Sequence, residues 1–223
     1  MNLVIKNIVS ILICVHSQSK FHDELLERAL WSLVDQTYKD FEVVIVKDSC
    51  HSGTHQVIDR FRKLLEIHDY EHEKLHLAQA KNFGLKYCGG SHIMMLDHDD
   101  YYATQKVEHQ VQYLKNHPEV DLLFCQAWDI HPNGEITENC FRLGQFQTHE
   151  QIVNQLPLEN CLHHGTACIK KEVFDYLSGY PEEDFALARE DHILWLRAMK
   201  AGFRFYNLPL RDYYYSLGTG GIR

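Results

Sequence analysis

The 223-residue sequence predicts an α/β fold built on a mainly parallel sheet. Three observations carry that expectation. Short apolar runs at 9–15 (VSILICV), 41–48 (FEVVIVKD) and 92–96 (HIMML) have the length of buried strands. Segments with apolar residues at helical spacing separate them, as right-handed crossovers between parallel strands require. Each run also ends in polar side chains, at Cys14–Ser17, Asp48 and Asp97–Asp100. In such sheets ligands bind beyond the carboxyl ends of the strands.

The elements follow in order. After the first strand, 23–36 carries Leu25, Leu26, Ala29, Leu30 and Leu33, a helical stripe. After the second, 55–65 returns to helical spacing through Val57, Ile58, Phe61, Leu64 and Leu65. A short helix at 78–88 is stopped by Gly89-Gly90, and one at 105–116 by Pro118. The second half changes character. A strand at 120–130 and a later Glu-Ile-Thr are joined by the turn residues His131-Pro132-Asn133-Gly134. A strand at 165–170 leads to a short helix at 171–179, and a stronger helix at 189–202 also ends in glycine. These pieces predict a smaller mixed sheet packed beside the parallel one, with no linker between.

Composition narrows the function. Hydrophobic residues make up 45% and charged residues 24%, which suits a soluble globular domain with a sizeable core. Twenty-two basic against 31 acidic residues give −9, which argues against a nucleic-acid binder with a broad basic surface. An anionic substrate remains open to such a protein if a divalent cation lies between them. Seven cysteines without a Cys-x-x-Cys pair suggest reduced thiols and a cytoplasmic chain. The apolar run at 8–15 is too short to span a bilayer, and no small-residue cleavage site follows it, so it reads as a first buried strand. Peripheral contact with a membrane stays open.

The stretch MMLDHDDYY, from Met94 to Tyr102, is the sharpest chemical signal. Three carboxylates and an imidazole follow a buried strand within four residues. A D-x-D pair there can hold Mg²⁺ or Mn²⁺, hard cations that take oxygen ligands and bridge to phosphates. An EF-hand fails because Tyr102 stands where the loop needs glycine and a strand precedes it. A phosphatase or phosphotransferase starting from strand-D-x-D is a second candidate, though Tyr101 and the position about a hundred residues in fit it poorly. A solvated acidic loop is a third.

Four segments, in order, resemble glycosyltransferase family 2. They are SILICVHSQSK, QTYKDFEVVIVKDSCHSGT, AQAKNFGLKYCGGSHIMMLDHDD and GYPEEDFALAREDHILWLRAMKAG. The second is similar to the family's Q-T-y-x-d-f-E-i-i-v-v-D-D-g-S-x-D-g-T. The third is similar to A-R-N-x-G…L-D-x-D-D, and the last to a run containing E-D-x-d-L-W-L-R. The resemblance implies a GT-A fold over 1–223, with a Rossmann-like nucleotide-sugar half to about 118 and an acceptor half from about 119. It implies a transferase acting on a nucleotide-diphosphate sugar, UDP-sugars favoured, and on a hydroxyl acceptor in glycan or polysaccharide synthesis. A sugar-nucleotide-binding module without turnover is the alternative outside enzymes.

The resemblance also implies roles. Asp48 would read the base, with Cys14, Val15 and His16 lining its pocket. Asp97 and His98 would lie near the ribose and diphosphate, Asp99 would bind the metal with Asp97, and Lys81 would be a point charge near the phosphates. Asp191 would be the general base of an inverting displacement, with a plain helix N-cap as its structural alternative. His164, Glu190, Trp195 and Arg197 would face the acceptor, with core packing and a structural ion pair as alternatives for Trp195 and Arg197. The chain departs from the pattern at Lys47, where the family has aspartate, and at Ser49, Cys50, His51 and Ser52, where it has Gly-Ser-x-Asp. The glycine usual before A-R-N is missing too. No Q-x-x-R-W follows the E-D pair, so the signature of processive synthases is missing.

Overall fold

A computed structural model describes residues 9–72, 75–138, 145–183 and 189–219. The parallel half forms as its hydrophobic runs predict. Strand β1 (Val9–Val15) lies between β2 (Phe41–Asp48) and β4 (His92–Met95), parallel to both. Helices α1 (Lys20–Val34), α2 (Ser52–Phe61) and α3 (Leu77–Leu85) supply the crossovers. Beyond β2 stands β3 (Ile67–His72), an edge strand whose polar IHDYEH run hides it from a hydrophobicity reading.

The remaining elements are β5 (Tyr101–Tyr102), α4 (Lys106–Asn116), β6 (Leu122–Ile130), β7 (Ile136–Glu138) and α5 (His149–Gln155). A 3₁₀ turn (His164–Thr166), β8 (Cys168–Lys170), α6 (Lys171–Leu177), α7 (Glu190–Lys200) and β9 (Phe205–Ser216) follow. The mixed part continues the parallel part instead of standing apart. Antiparallel β8 pairs with β4 and with β6, giving one nine-stranded sheet ordered β3-β2-β1-β4-β8-β6-β9-β5, with β7 on β6. Strand β9 runs parallel to β6 with its register broken around Pro209, which has no N–H for the ladder.

Alternation along the strands builds a core on each face. Ile11, Ile13, Val43 and Ile45 pack beneath α1, α2 and α4, with Leu26, Leu30, Ile58 and Val107. Leu12, Val44, Val46 and Phe124 face α3, α6 and α7, with Leu85, Phe174 and Trp195. Gly84 lets α3 sit down on the sheet, because a Cβ there would lie 2.4 Å from Leu12 Cδ1. Among the described residues no helix is long and apolar enough to cross a membrane. The six described cysteines are all unpaired thiols, and Cys140 lies outside the described residues.

Candidate active site

The carboxyl ends of β1, β2 and β4 meet the first turn of α7. On β1 the side chains divide by parity. Val15 is buried in the core under α1, so only its backbone faces the loops, where its carbonyl accepts from Cys50 Sγ at 3.2 Å. Val15 can therefore line a base pocket only through its backbone. Cys14 faces the opposite side, where burial pushes its thiol up to about 12 and keeps it neutral. His16 Nδ1 lies 2.9 Å from the Asp48 carbonyl and 3.9 Å from Asp48 Oδ2. Asp48 Oδ1 accepts from Ser49 Oγ at 3.1 Å and from the Leu75 amide at 3.4 Å.

Ser49 has φ of 52°, a left-handed backbone where the family pattern has glycine. A side chain in that region costs about 1–2 kcal/mol, so the turn after Asp48 is held by its surroundings. Lys47 points to the other face of the sheet and pairs with Asp69 at 2.8 Å. Its substitution for aspartate therefore adds no cation on the Asp48 side.

The acidic cluster divides by function. Asp100 is 1% exposed and belongs to the fold, its carboxyl accepting from Tyr213 Oη and the Ser216 amide, each at 2.7 Å. Gly165 keeps that link open, since a Cβ there would lie 2.1 Å from the Tyr213 hydroxyl. Asp99 is fixed through its backbone carbonyl, which accepts from Arg28 Nη2 at 2.5 Å, and its Oδ2 accepts from Thr219 Oγ1 at 2.5 Å. His98 is 4% exposed and bonded to the Cys14 backbone; burial pulls its pKa down and leaves the imidazole neutral. Burial pushes the Asp97 carboxyl up to about 6; Lys81 opposes this, and Asp99, Glu190 and Asp191 add to it.

Those opposing charges bring α3 and α7 into the same site. Lys81 is 4% exposed, which excludes a solvated helix lysine, and its Nζ donates to Glu190 Oε1 at 2.8 Å. Lys81 thus carries a buried pair with Glu190, and its charge also lowers the pKa of Asp97 and of Asp191. Lys81→Met should leave Glu190 buried without a partner and cost on the order of 3–5 kcal/mol. Adding Glu190→Gln should restore much of it. Denaturant unfolding of the single and double variants checks this, and an additive double variant would contradict it.

Asp191 is not the N-cap of α7, a position taken by Arg189 without a side-chain bond. Its Oδ1 accepts from the His192 amide at 2.6 Å and its Oδ2 from Asn160 Nδ2 at 3.0 Å. Burial raises its pKa, Lys81 opposes and Glu190 adds to the shift. His164 Nε2 is 3.0 Å from Tyr180 Oη, and burial holds the ring neutral, well below the usual histidine range. Trp195 is 0% exposed and packs edge-on against Phe124, while Arg197 pairs with Glu183 at 2.9 Å. Trp195 thus packs as its structural alternative describes, and Arg197 makes the ion pair of its own. Asn160, Arg28, Thr219 and Tyr180 were missed by sequence reasoning, because each reaches the site from a distant element with no motif spacing.

The donor set fits a hard divalent cation. Asp97 and Asp99 offer oxygen ligands, and burial with the neighbouring carboxylates disfavours the charge on Asp97 more than Lys81 favours it, a balance that a bound cation would shift. A second group, Glu42, Glu66 and His68, holds its ligand atoms within 4.8 Å of one another. It lies at the other end of β2, where Ser10 Oγ and the Gly89 amide hold Glu42 Oε1 at 2.5 and 2.6 Å.

The family model "Glycosyl transferase family 2" matches residues 10–177. The amylovoran biosynthesis glycosyltransferase AmsE of Erwinia amylovora is 30% identical over 203 residues, covering 90% of this chain and 73% of its own. The glucosyltransferase WfaP of Escherichia coli, named for UDP-Glc and an α-D-GlcNAc-diphosphoundecaprenol acceptor, is 27% identical over 192 residues, or 86% and 71%. Among solved structures, S. aureus TarS 1–349 with UDP-GlcNAc superposes with a TM-score of 0.77 at 18% identity, covering 96% of this chain and 60% of that one. The mannosyltransferase PcManGT of Pyrobaculum calidifontis, with GDP-Man and Mn²⁺, gives 0.71 at 19%, covering 97% and 59%. The chain thus spans about three-fifths of these solved relatives. With three-quarters of its length inside one family model and a GT-A architecture, the chain belongs to glycosyltransferase family 2.

Proposed function

We propose that the chain is a metal-dependent, inverting, non-processive glycosyltransferase. It moves a sugar from a nucleotide-diphosphate donor to a hydroxyl acceptor in glycan or polysaccharide synthesis. One observation carries this reading. Asp97 at the end of β4 and Asp191 at the start of α7 stand on either side of the buried Lys81–Glu190 pair, half-buried themselves, and Lys81 lowers the pKa of each. Two carboxylates with separate surroundings can take separate roles.

Asp97 and Asp99 would hold Mn²⁺ or Mg²⁺, which would supply Lewis-acid neutralisation of the departing diphosphate. Asp191 takes the proton of the acceptor hydroxyl as that oxygen attacks the anomeric carbon and the bond to the diphosphate oxygen breaks. Asn160 and the His192 amide aim its carboxyl. The Lys81–Glu190 pair fixes the helix turn that carries it. Asp48, beside His16, reads the base. A UDP-sugar is favoured because WfaP is named for UDP-Glc and TarS holds UDP-GlcNAc.

The reading is tested by a panel of nucleotide sugars with Mn²⁺. The donor should stabilise the protein thermally, since a ligand that binds only the native state raises its apparent stability. Nucleoside diphosphate should be released only when a sugar acceptor is added. Release without acceptor would favour hydrolysis, and binding without release a turnover-free module. Asp48→Ala should weaken nucleotide binding by about 1–3 kcal/mol, the cost of a lost buried hydrogen bond. Unchanged affinity for uridine, guanosine and thymidine diphosphates alike would remove Asp48 from the base pocket.

A further inference from the structure

The loop after β1 and the loop after β2 form the two sides of the proposed base pocket, one carrying His16 and the other Asp48 and Ser49. Another side chain joins the two loops from behind. Asp23, in the first turn of α1, is 7% exposed, and its Oδ1 accepts from Ser17 Oγ at 2.9 Å and from Thr54 Oγ1 at 2.8 Å. Ser17 belongs to the first loop and Thr54 to the start of α2 behind the second, and both are 0% exposed. His51 Nε2 lies 2.9 Å from Asp23 Oδ2, off the line of a hydrogen bond, while its Nδ1 accepts from the Gly53 amide at 3.2 Å. The His51 amide in turn donates to the Ser17 carbonyl at 3.1 Å.

A fully buried polar cluster is costly unless its members satisfy one another, and when they do it fixes one arrangement. We infer that Asp23 is a positioning residue for the donor. It sets the spacing of the two loops, and through them the affinity for the nucleotide, without touching substrate itself. The family pattern places an aspartate at position 52, where this chain has serine. Here a carboxylate reaches the start of α2 from α1 instead. Gly53 records the closeness of that approach: a Cβ there would lie 2.3 Å from Asp23 Oδ2 and 2.5 Å from His51 Cε1. The inference rests on the donor-binding reading given above.

Two unrelated substitutions should therefore give one phenotype. Asp23→Ala removes the acceptor of both hydroxyls, and Gly53→Ala wedges the carboxylate away while improving helix propensity. Each should raise the donor KM, and the Kd for its nucleoside diphosphate with Mn²⁺, by about tenfold or more. The kcat at saturating donor and the acceptor KM should stay within about twofold, the pattern of lost uniform binding. Asp23→Asn keeps an oxygen for Ser17 and Thr54 but turns its N–H₂ toward His51 Nε2, so its donor KM should fall between wild type and Asp23→Ala. A folded Gly53→Ala protein with wild-type donor KM overturns the inference. So does a fall in kcat with both KM values unmoved, which marks general damage. A wild-type protein that neither binds nucleotide nor transfers sugar overturns the donor-binding reading, and this inference with it.

Discussion

Asp99→Asn should abolish transfer and cation-dependent nucleotide binding while the fold survives. Survival follows from how the residue is held. Arg28 grips the backbone carbonyl of Asp99, which the substitution leaves alone, and an amide oxygen can still accept from Thr219. The loss of binding follows from charge. Removing one of two carboxylates halves the negative charge offered to a hard cation and puts an N–H₂ group where an oxygen ligand stood. Calorimetry with Mn²⁺ and UDP reads the effect. Undiminished cation-dependent binding in the variant would move the metal away from the strand end.

Asp191→Asn should lower transfer by roughly two to four orders of magnitude, the usual share of general-base catalysis. Donor affinity should stay near wild type. Asparagine preserves the size of the side chain and can keep an oxygen toward either the His192 amide or Asn160, so stability should change little. The pH profile gives an independent handle. The base works only when ionised, and burial raises its pKa above the ordinary 3.8. Transfer by the wild type should therefore fall as pH drops through that raised value, at a higher pH than an exposed aspartate would set. Near-normal transfer by a stable Asp191→Asn protein would reduce Asp191 to a structural role.

The parallel half of the fold was legible because hydrophobic burial on both faces writes a continuous apolar run. The runs at 9–15 and 41–48 match β1 and β2 in full. Among the elements that escaped, three did so for clear physical reasons. β3 is an edge strand whose Asp69 is held by Lys47 and Arg62, so its pattern is ionic. β9 carries Pro209, which argues against a strand in any local reading. α5 is announced only by its Thr148–Gln151 capping box.

The site was legible where a carboxylate stands at a strand end, and less so where one residue's partner is distant in sequence. Nothing near Asp100 tells that its carboxyl faces Tyr213 and Ser216, more than a hundred residues on. Lys81 and Glu190 lie 109 positions apart, so each read alone looked like a ligand contact, and together they are a buried pair. Trp195 sits one turn along the same helix from Asp191 and packs against Phe124. Helix periodicity puts both on nearly one face, and only the packed sheet shows that Trp195 is buried there while Asp191 is not.

The proposed reaction is a single displacement, with Asp191 activating the acceptor on one side of the anomeric carbon and the diphosphate leaving from the other. The anomeric configuration of the first transfer product tests that claim most directly. Proton NMR of the product, formed with Mn²⁺ from an α-linked nucleotide sugar, reads it from the anomeric coupling. A β-linked product is the result this account predicts. An α-linked product would contradict it, because retention needs either a second displacement or a leaving group and acceptor on the same face.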